Sequence, residues 1–348
     1  MTLAASAPGR ICLFGEHQDY LGLPVTAAAI NLRCRVDLMP RKDRLAVFQY
    51  SDLHSVERLD LDALPPRSGR NYALSVLHLA REQGWLPLRG FDMMVRSDIP
   101  RAAGTSSSTA FVLAITAALA AHAGHSLTPM EQVRLAHQAE VVAFQEPGGM
   151  MDHLACGLGG LRAMSFSPNL STEVLAKPDI AWVLGDSLTP KDTLKVLAHA
   201  KGRRLDLLSR MPFDVANATE VPDGPWAADE RALLDATLAN RDISAAGTRA
   251  LIAGDVERVG AHLSAHHAIL RDALRLSTPR IEAMLEQAMK HGALGGKING
   301  SGGGGCCFVM CRPADAEEIA AAMSAAGGLG MPIALTDRGV VVQKLTSP

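Results

Sequence analysis

Ile99-Pro-Arg-Ala-Ala-Gly-Thr-Ser-Ser-Ser-Thr-Ala110 is the stretch that decides how this 348-residue chain folds. Phe91-Asp-Met-Met-Val95 before it reads as a strand. Ala110-Phe-Val-Leu-Ala-Ile-Thr-Ala-Ala-Leu119 after it reads as an apolar, Ala-rich helix. A strand thus feeds a loop of small residues, and the loop opens a helix with three serines in its first turn. The first N–H groups of a helix lack internal partners, and the helix dipole puts partial positive charge there. Gly104, with Ala102 and Ala103 beside it, lets a bulky anion approach the backbone. Serine hydroxyls add hydrogen bonds or bind a cation that travels with phosphate. In physical terms this is a phosphate cradle. It differs from the Walker pattern, because no Gly-Lys-Ser/Thr follows. An ordinary serine-capped helix has the same composition, so the loop alone leaves both readings open.

Upstream, residues 1–50 are β-rich: Arg10–Phe14 is a short apolar run, and Cys34–Leu38 and Leu45–Tyr50 nearly alternate. Between the first two lies Gly15-Glu-His-Gln-Asp-Tyr-Leu-Gly22, with three ionisable groups and a phenol. A plain turn seldom needs that many; the alternative is a polar surface hairpin. Asn71–Gln83 has helical apolar spacing and stops at Gly84. Downstream, Glu131–Phe144 is a second helix, with Thr128 and Glu131 spaced for a capping box. Pro147 ends it, Gly148 and Gly149 allow a tight turn, and Asp152 follows among Met, Leu and Ala. An Asp in such company needs a partner or a task, unless it caps the next short helix.

Further on, 172–190 read as strands, with Ile180–Leu184 the clearest. Lys191–Met211 is a basic helix carrying Lys191, Lys195, Lys201, Arg203, Arg204 and Arg210. A solvated face explains most of these charges, with one or two left to meet an anionic substrate. Phe213–Trp226 is a linker or surface loop. Helices follow at Ala228–Ala239, Asp255–Leu274 and Pro279–His291. The glycine tetrad Gly302–Gly305 then leads into a strand, Ala314–Ala326 is a last amphipathic helix, and Ile333–Thr336 and Gly339–Leu345 close the chain as strands. This order predicts α+β rather than regular βαβ units.

Composition narrows the function classes. A net charge of −2 gives no basic field for nucleic acid or anionic membrane. Apolar residues make up 48% and aromatics 4%, so Ala, Leu and Val must build the core. Six cysteines without metal-type spacing read as buried thiols of a reducing compartment. No signal peptide and no bilayer-spanning segment are expected, which points to a cytoplasmic protein.

Pro8-Gly-Arg-Ile-Cys-Leu-Phe-Gly-Glu-His17, Gly104-Thr-Ser-Ser-Ser-Thr-Ala110 and Lys297-Ile-Asn-Gly-Ser-Gly-Gly-Gly-Gly-Cys306 together resemble, in order and spacing, the three motifs of the GHMP kinase superfamily. The galactokinase branch is the most similar: Pro8–Tyr20 resembles its signature, Asn71-Tyr72, Gly90-Phe91 and Ile99-Pro100 fall where that branch has the same pairs, and Gly254-Asp255, Gly260, His266 and Leu270-Arg-Asp272 resemble its C-terminal helical region. The resemblance implies a two-domain α+β fold, ribosomal protein S5 domain 2-like over 1–175 and a ferredoxin-like α/β sandwich over 176–348. It implies transfer of the γ-phosphoryl group of ATP to a monosaccharide hydroxyl with Mg²⁺ as cofactor. Gly104, Thr105, Ser106, Ser107 and Ser108 would hold the nucleotide phosphates, and Ser108 and Glu140 the Mg²⁺. Asp152 would be the catalytic acceptor of the hydroxyl proton, with Arg10 holding it ionised. Glu16, His17, Asp19 and Tyr20 match the sugar-binding positions. Lys297 and Ser301 border that site, or Lys297 is a helix C-terminal cation.

Several positions depart from the branch. Ala102 and Ala103 fall where a glycine is usual, Thr105 where Leu is, Thr109 where Ala is, and His153 where Gln is. The tyrosine that helps read galactose after Ile180–Leu184 is missing. Mevalonate-type kinases share Gly-Glu-His but not the following Asp-Tyr, so Asp19-Tyr20 tilts the expectation to galactose or a related sugar. The alternatives are a mevalonate-type small-molecule kinase, a catalytically silent sugar sensor and an ATP-dependent decarboxylase of the same fold. Oligomeric state is left open.

Overall fold

The computed structural model describes residues 2–146, 148–189 and 193–345. Pro147, Lys191 and the side chain of Lys195 lie outside the described residues. The spine is an antiparallel pair, β1 (Thr2–Phe14) and β2 (Val25–Pro40). The apolar runs Arg10–Phe14 and Cys34–Leu38 are portions of these longer strands. Their continuation through Ala27–Ala29 is hard to read from sequence, since Ala favours strands little; here full burial between two layers overrides propensity. Then come β3 (Leu45–Tyr50), β4 (Ser55–Asp60), α1 (Tyr72–Glu82), β5 (Phe91–Ser97), α2 (Ser107–His122), α3 (Pro129–Glu140), α4 (Met151–Leu158), β6 (Leu161–Ser165) and β7 (Ser171–Leu175).

The remaining elements are β8 (Ala181–Asp186), α5 (Thr193–Arg210), α6 (Ala228–Ala253), α7 (Val256–Asp272), α8 (Pro279–Lys290), β9 (Gly295–Ile298), β10 (Cys306–Cys311), α9 (Ala316–Ala325), β11 (Leu329–Ile333) and β12 (Val341–Leu345). One sheet runs β12-β1-β2-β5-β3-β4, with β6 on β2 and β7 on β6. The other runs β11-β8-β10-β9. Every pairing is antiparallel except β3 with β5.

α2 is apolar all round and packs between the first sheet and α1 and α3, as an Ala-rich helix at a core centre should. Asn71 caps α1, and the Thr128–Glu131 capping box opens α3. Strand alternation divides the second sheet between two cores. Val183, Cys307 and Val309 face Met284 and Ile319 of α8 and α9. Trp182, Leu184 and Phe308 face Ile11, Leu13 and Phe14 of β1. The same strand, β1, therefore builds on both sheets.

Three expectations shift. α6 continues to Ala253 instead of stopping at Ala239, until Gly254 takes a left-handed conformation. β11 ends at Ile333 instead of running to Thr336; Ala334 and Thr336 bond the β2 backbone at Asn31 and Ala29 instead. Thr193–Arg210 is helical as expected, but Arg204 on it is fully buried rather than solvated. The six cysteines are free and buried. Among the described residues, no helix is long and apolar enough to cross a membrane.

Candidate active site

The site begins at a break in register between Pro8 and Arg10, where β1 slips against β2. Such an irregularity re-aims a side chain. At Gly9 a Cβ would lie 2.8 Å from the Thr105 carbonyl, and the Arg10 N–H donates to that carbonyl at 3.2 Å. β1 is thereby held against the small-residue loop. Arg10, 3% exposed, donates from Nε to Asp152 Oδ1 at 2.8 Å, with Nη2 2.7 Å from the same oxygen. Its Nη1 donates to the Gly104 carbonyl.

Asp152 lies in the first turn of α4, where Met150 holds the N-cap position; Asp152 is not a helix cap. Its side chain is about one-third open (31%) to a cleft of about 670 Å³. Burial alone raises the Asp152 pKa; the charge and hydrogen bond of Arg10 outweigh it and hold the carboxyl below its ordinary value.

The loop is more contorted than a serine-capped start. Ala102 and Ser106 have positive φ, +49° and +61°, and Gly104 has +85°. α2 starts at Ser107, so two serines, not three, occupy its first turn. Ser106 sits at the N-cap position without capping through its side chain. Gly104, Ser106, Ser107 and Ser108 line the cleft. Thr105 is buried, and its hydroxyl turns to the Pro100 carbonyl at 3.4 Å.

The distant Gly-rich stretch backs this loop. A Cβ at Gly300 would lie 2.6 Å from Gly104 Cα, and the Cys306 N–H donates to the Ala103 carbonyl at 2.7 Å. Asn299 fastens the two together. Its Nδ2 donates to the Gly104 carbonyl at 2.8 Å, and its Oδ1 accepts from the Cys12 N–H at 2.9 Å. Backbone lies on backbone here, so only glycine fits.

The 16–20 segment lines the cleft and is no surface hairpin: Glu16 and His17 are buried. Glu16 Oε2 accepts from Lys297 Nζ at 2.8 Å, a pair with 3% and 0% side-chain exposure. Lys297 is in β9, not at a helix C-terminus. His17 meets the Tyr20 hydroxyl at 3.2 Å through Nδ1 and the Ser301 carbonyl at 3.1 Å through Nε2. Tyr20 in turn accepts from Arg204, and Lys201 Nζ lies 4.9 Å above its ring. Asp19 is half-buried and packs against Gly149 so closely that a Cβ there would overlap its carboxylate. Burial, with the Asp152 charge behind it, pushes Asp19 up to about 6.

Glu140, at the end of α3, is buried beside His153, and both line the cleft. Glu140 and Ser108 offer hard oxygen donors, the chemistry that suits Mg²⁺ held with waters and phosphate oxygens. Among the described residues no three His, Cys, Asp or Glu side chains surround one metal position. Tyr50, Asp52, Leu53, Tyr72 and Phe111 also line the cleft. Sequence reading assigned none of these to the site, nor Asn299 and Arg204: Tyr72 and Asn299 stand inside the matched motif stretches without a role of their own, and the others come from separated elements that share no local pattern.

Three family patterns match this chain. "Galactokinase galactose-binding signature" covers residues 2–39, "GHMP kinases N terminal domain" residues 71–160, and "GHMP kinases C terminal" residues 248–329. The mevalonate kinase of Thermococcus gammatolerans is 26% identical over 99% of both chains. The galactokinase of Roseiflexus sp. is 29% identical over 90% of this chain and 84% of its own. The structure of Lactococcus lactis galactokinase complexed with galactose superposes with a TM-score of 0.84 at 21% identity, covering 98% of this chain and 95% of that one.

Proposed function

The chain belongs to the GHMP kinase superfamily and is a galactokinase-like phosphotransferase with an alcohol group as acceptor; from that premise we propose that it phosphorylates a monosaccharide, galactose or a related sugar, with ATP. The observation that carries this reading is the Arg10–Asp152 pair, set in one cleft with the 16–20 segment and the serine loop. An acceptor hydroxyl beside Asp152 would attack the γ-phosphorus in line. The new O–P bond forms as the bond to the β-phosphate oxygen breaks, ADP leaves with that electron pair, and the hydroxyl proton passes to the Asp152 carboxylate. Arg10 would keep Asp152 ionised and draw charge from the transferring group. Phosphoryl transfer depends chiefly on such positioning and charge stabilisation.

Gly104, Ser106, Ser107 and Ser108 would hold the phosphates, and Thr105 would shape the loop from behind. Ser108 and Glu140 would hold Mg²⁺, which supplies neutralisation of phosphate charge when bound. His17, Asp19 and Tyr20 would contact the sugar. Glu16 would serve mainly through Lys297 as the floor of that subsite. The division into units at residues 1–175 and 176–348 belongs to the same reading, and buried free thiols suit the reducing cytoplasm.

A mevalonate-type acceptor is the second reading, since mevalonate kinases are relatives at similar identity. Asp19 weighs against it: a carboxylate suits paired sugar hydroxyls and repels a carboxylate-bearing acceptor. An ATP-consumption screen with Mg²⁺ across monosaccharides, uronic acids and mevalonate tests the proposal. Sugar-stimulated ADP release supports it. Stimulation by mevalonate alone selects the second reading. ATP binding without turnover on any acceptor leaves a sugar sensor.

A further inference from the structure

Arg204 lies on α5 with no exposed surface, so it meets no acceptor directly. Leu207, one turn further on, is buried in an apolar cluster with Leu234 and Leu238 of α6, so α5 turns this face to the interior. A guanidinium out of water is costly unless it is paired. Arg204 Nη2 donates to the Tyr20 hydroxyl. Its Cζ lies 5.3 Å from the centre of the Tyr20 ring, and Lys201 Nζ lies 4.9 Å from the same point. Two cations of α5 therefore grip one phenol.

Donor chemistry fixes the direction of each bond beyond it. A guanidinium only donates, so the Tyr20 hydroxyl accepts from Arg204, and its single proton goes to His17 Nδ1, 3.2 Å away. A carbonyl only accepts, so His17 Nε2, 3.1 Å from the Ser301 carbonyl, carries the ring proton. Both bonds select the same neutral tautomer of His17. Ser301 follows Gly300, whose backbone packs on Gly104 of the serine loop. The chain of bonds thus runs from α5 through the 16–20 segment to the stretch behind the phosphate cradle. We propose that Arg204 is a positioning residue for the acceptor: through the Tyr20 hydroxyl it locks the His17 ring as a tie between the 16–20 segment and Ser301. An acceptor then meets His17 through its ring carbons and not through its nitrogens. The inference rests on the sugar-kinase reading for what the tie positions, but not for the tie itself.

NMR of the full chain carrying ¹⁵N-labelled histidine, at about pH 8 where an ordinary imidazole is neutral, reads the tie without turnover. The signals lost in His17→Gln identify His17. Wild type should show His17 protonated on Nε2, with its Nδ1 signal displaced by a donated proton. That signal should move toward the unbonded value in Tyr20→Phe and in the same direction in Arg204→Met. In kinetics each change should raise sugar KM about tenfold, the scale of one hydrogen bond to a charged group, with ATP KM changed less than about threefold. Both act through one hydroxyl, so the double variant should exceed Tyr20→Phe by less than about twofold. A His17 protonated on Nδ1 in wild type, an unmoved Nδ1 signal in Arg204→Met, or sugar KM effects that multiply overturns the proposal. If Arg204→Met does not fold, Arg204→Leu takes its place, and Nδ1 protonation in wild type is by itself decisive. Failure of the kinase reading looks different: the NMR outcomes hold, but no sugar stimulates ADP release.

Discussion

Replacing Lys297 with Met should destabilise the protein far more than an exposed ion pair would suggest. Lys297 has no side-chain exposure, and its ammonium donates to Glu16 Oε2 at 2.8 Å and to the Cys12 carbonyl at 2.9 Å. Methionine keeps the length of the stem and deletes the ammonium, which lies 5.3 Å over the Phe308 ring. The Glu16 carboxylate is then buried without its cation. Removing one partner of a buried pair costs roughly 3–5 kcal/mol. The orphaned Cys12 carbonyl adds a penalty of about 1 kcal/mol or more, which places the expected loss in the upper half of that range. Lys297→Met/Glu16→Gln removes both charges and should recover at least about 2 kcal/mol relative to the sum of the single changes. Urea unfolding followed by circular dichroism on wild type, both singles and the double measures this. A loss below about 1 kcal/mol for Lys297→Met, or singles that simply add, would refute the reasoning. Sugar KM supplies an independent check: with its carboxylate already engaged, Glu16→Gln should disturb KM less than Asp19→Asn does.

Asp152→Asn keeps the shape of the residue Arg10 grips but not its charge, and kcat should fall by about two to four orders of magnitude with ATP affinity largely kept; near-wild-type kcat would remove Asp152 from the chemistry. Asp19, lifted to about 6 by burial and by Asp152, should give sugar affinity a step that weakens as pH falls through about 6. Its stability effect has the opposite sign: the folded pKa exceeds the unfolded value of about 3.9, so the charged carboxylate weighs against folding above pH 6 and that burden lifts toward pH 4. Titrating sugar binding from pH 5 to 8 in wild type and Asp19→Asn checks this, since a step surviving in the variant belongs to another group. Gly149→Ala would push its Cβ into the Asp19 carboxylate; sugar affinity should fall at least about tenfold with nucleotide affinity unchanged, and equal loss of both would mean that the start of α4 had collapsed.

The residue string by itself determined the elements with strong periodicity and explicit stop signals. The Thr128–Glu131 box, the Asn71 cap and the Ala-rich run after Ser107 are local devices, each readable within a few residues. Motif order was also local, and it pointed to Arg10, Asp152 and the serine loop before any fold was drawn. Tertiary structure decided what those residues touch. Glu16 looks like a free sugar ligand until Lys297, 281 positions away, takes one of its oxygens. Gly300 and Gly305 read only as members of a Gly-rich stretch until they are seen packed on the backbone of Gly104 and Ala103, where side chains would collide. Arg204 looks solvated on a basic helix until Tyr20 accepts from it in the interior. Propensity and capping act over one or two turns, so sequence encodes them directly. Ion pairing, exclusion of a Cβ and the shift of Asp19 to about 6 depend on which distant groups share a buried volume, and only the packed chain sets that.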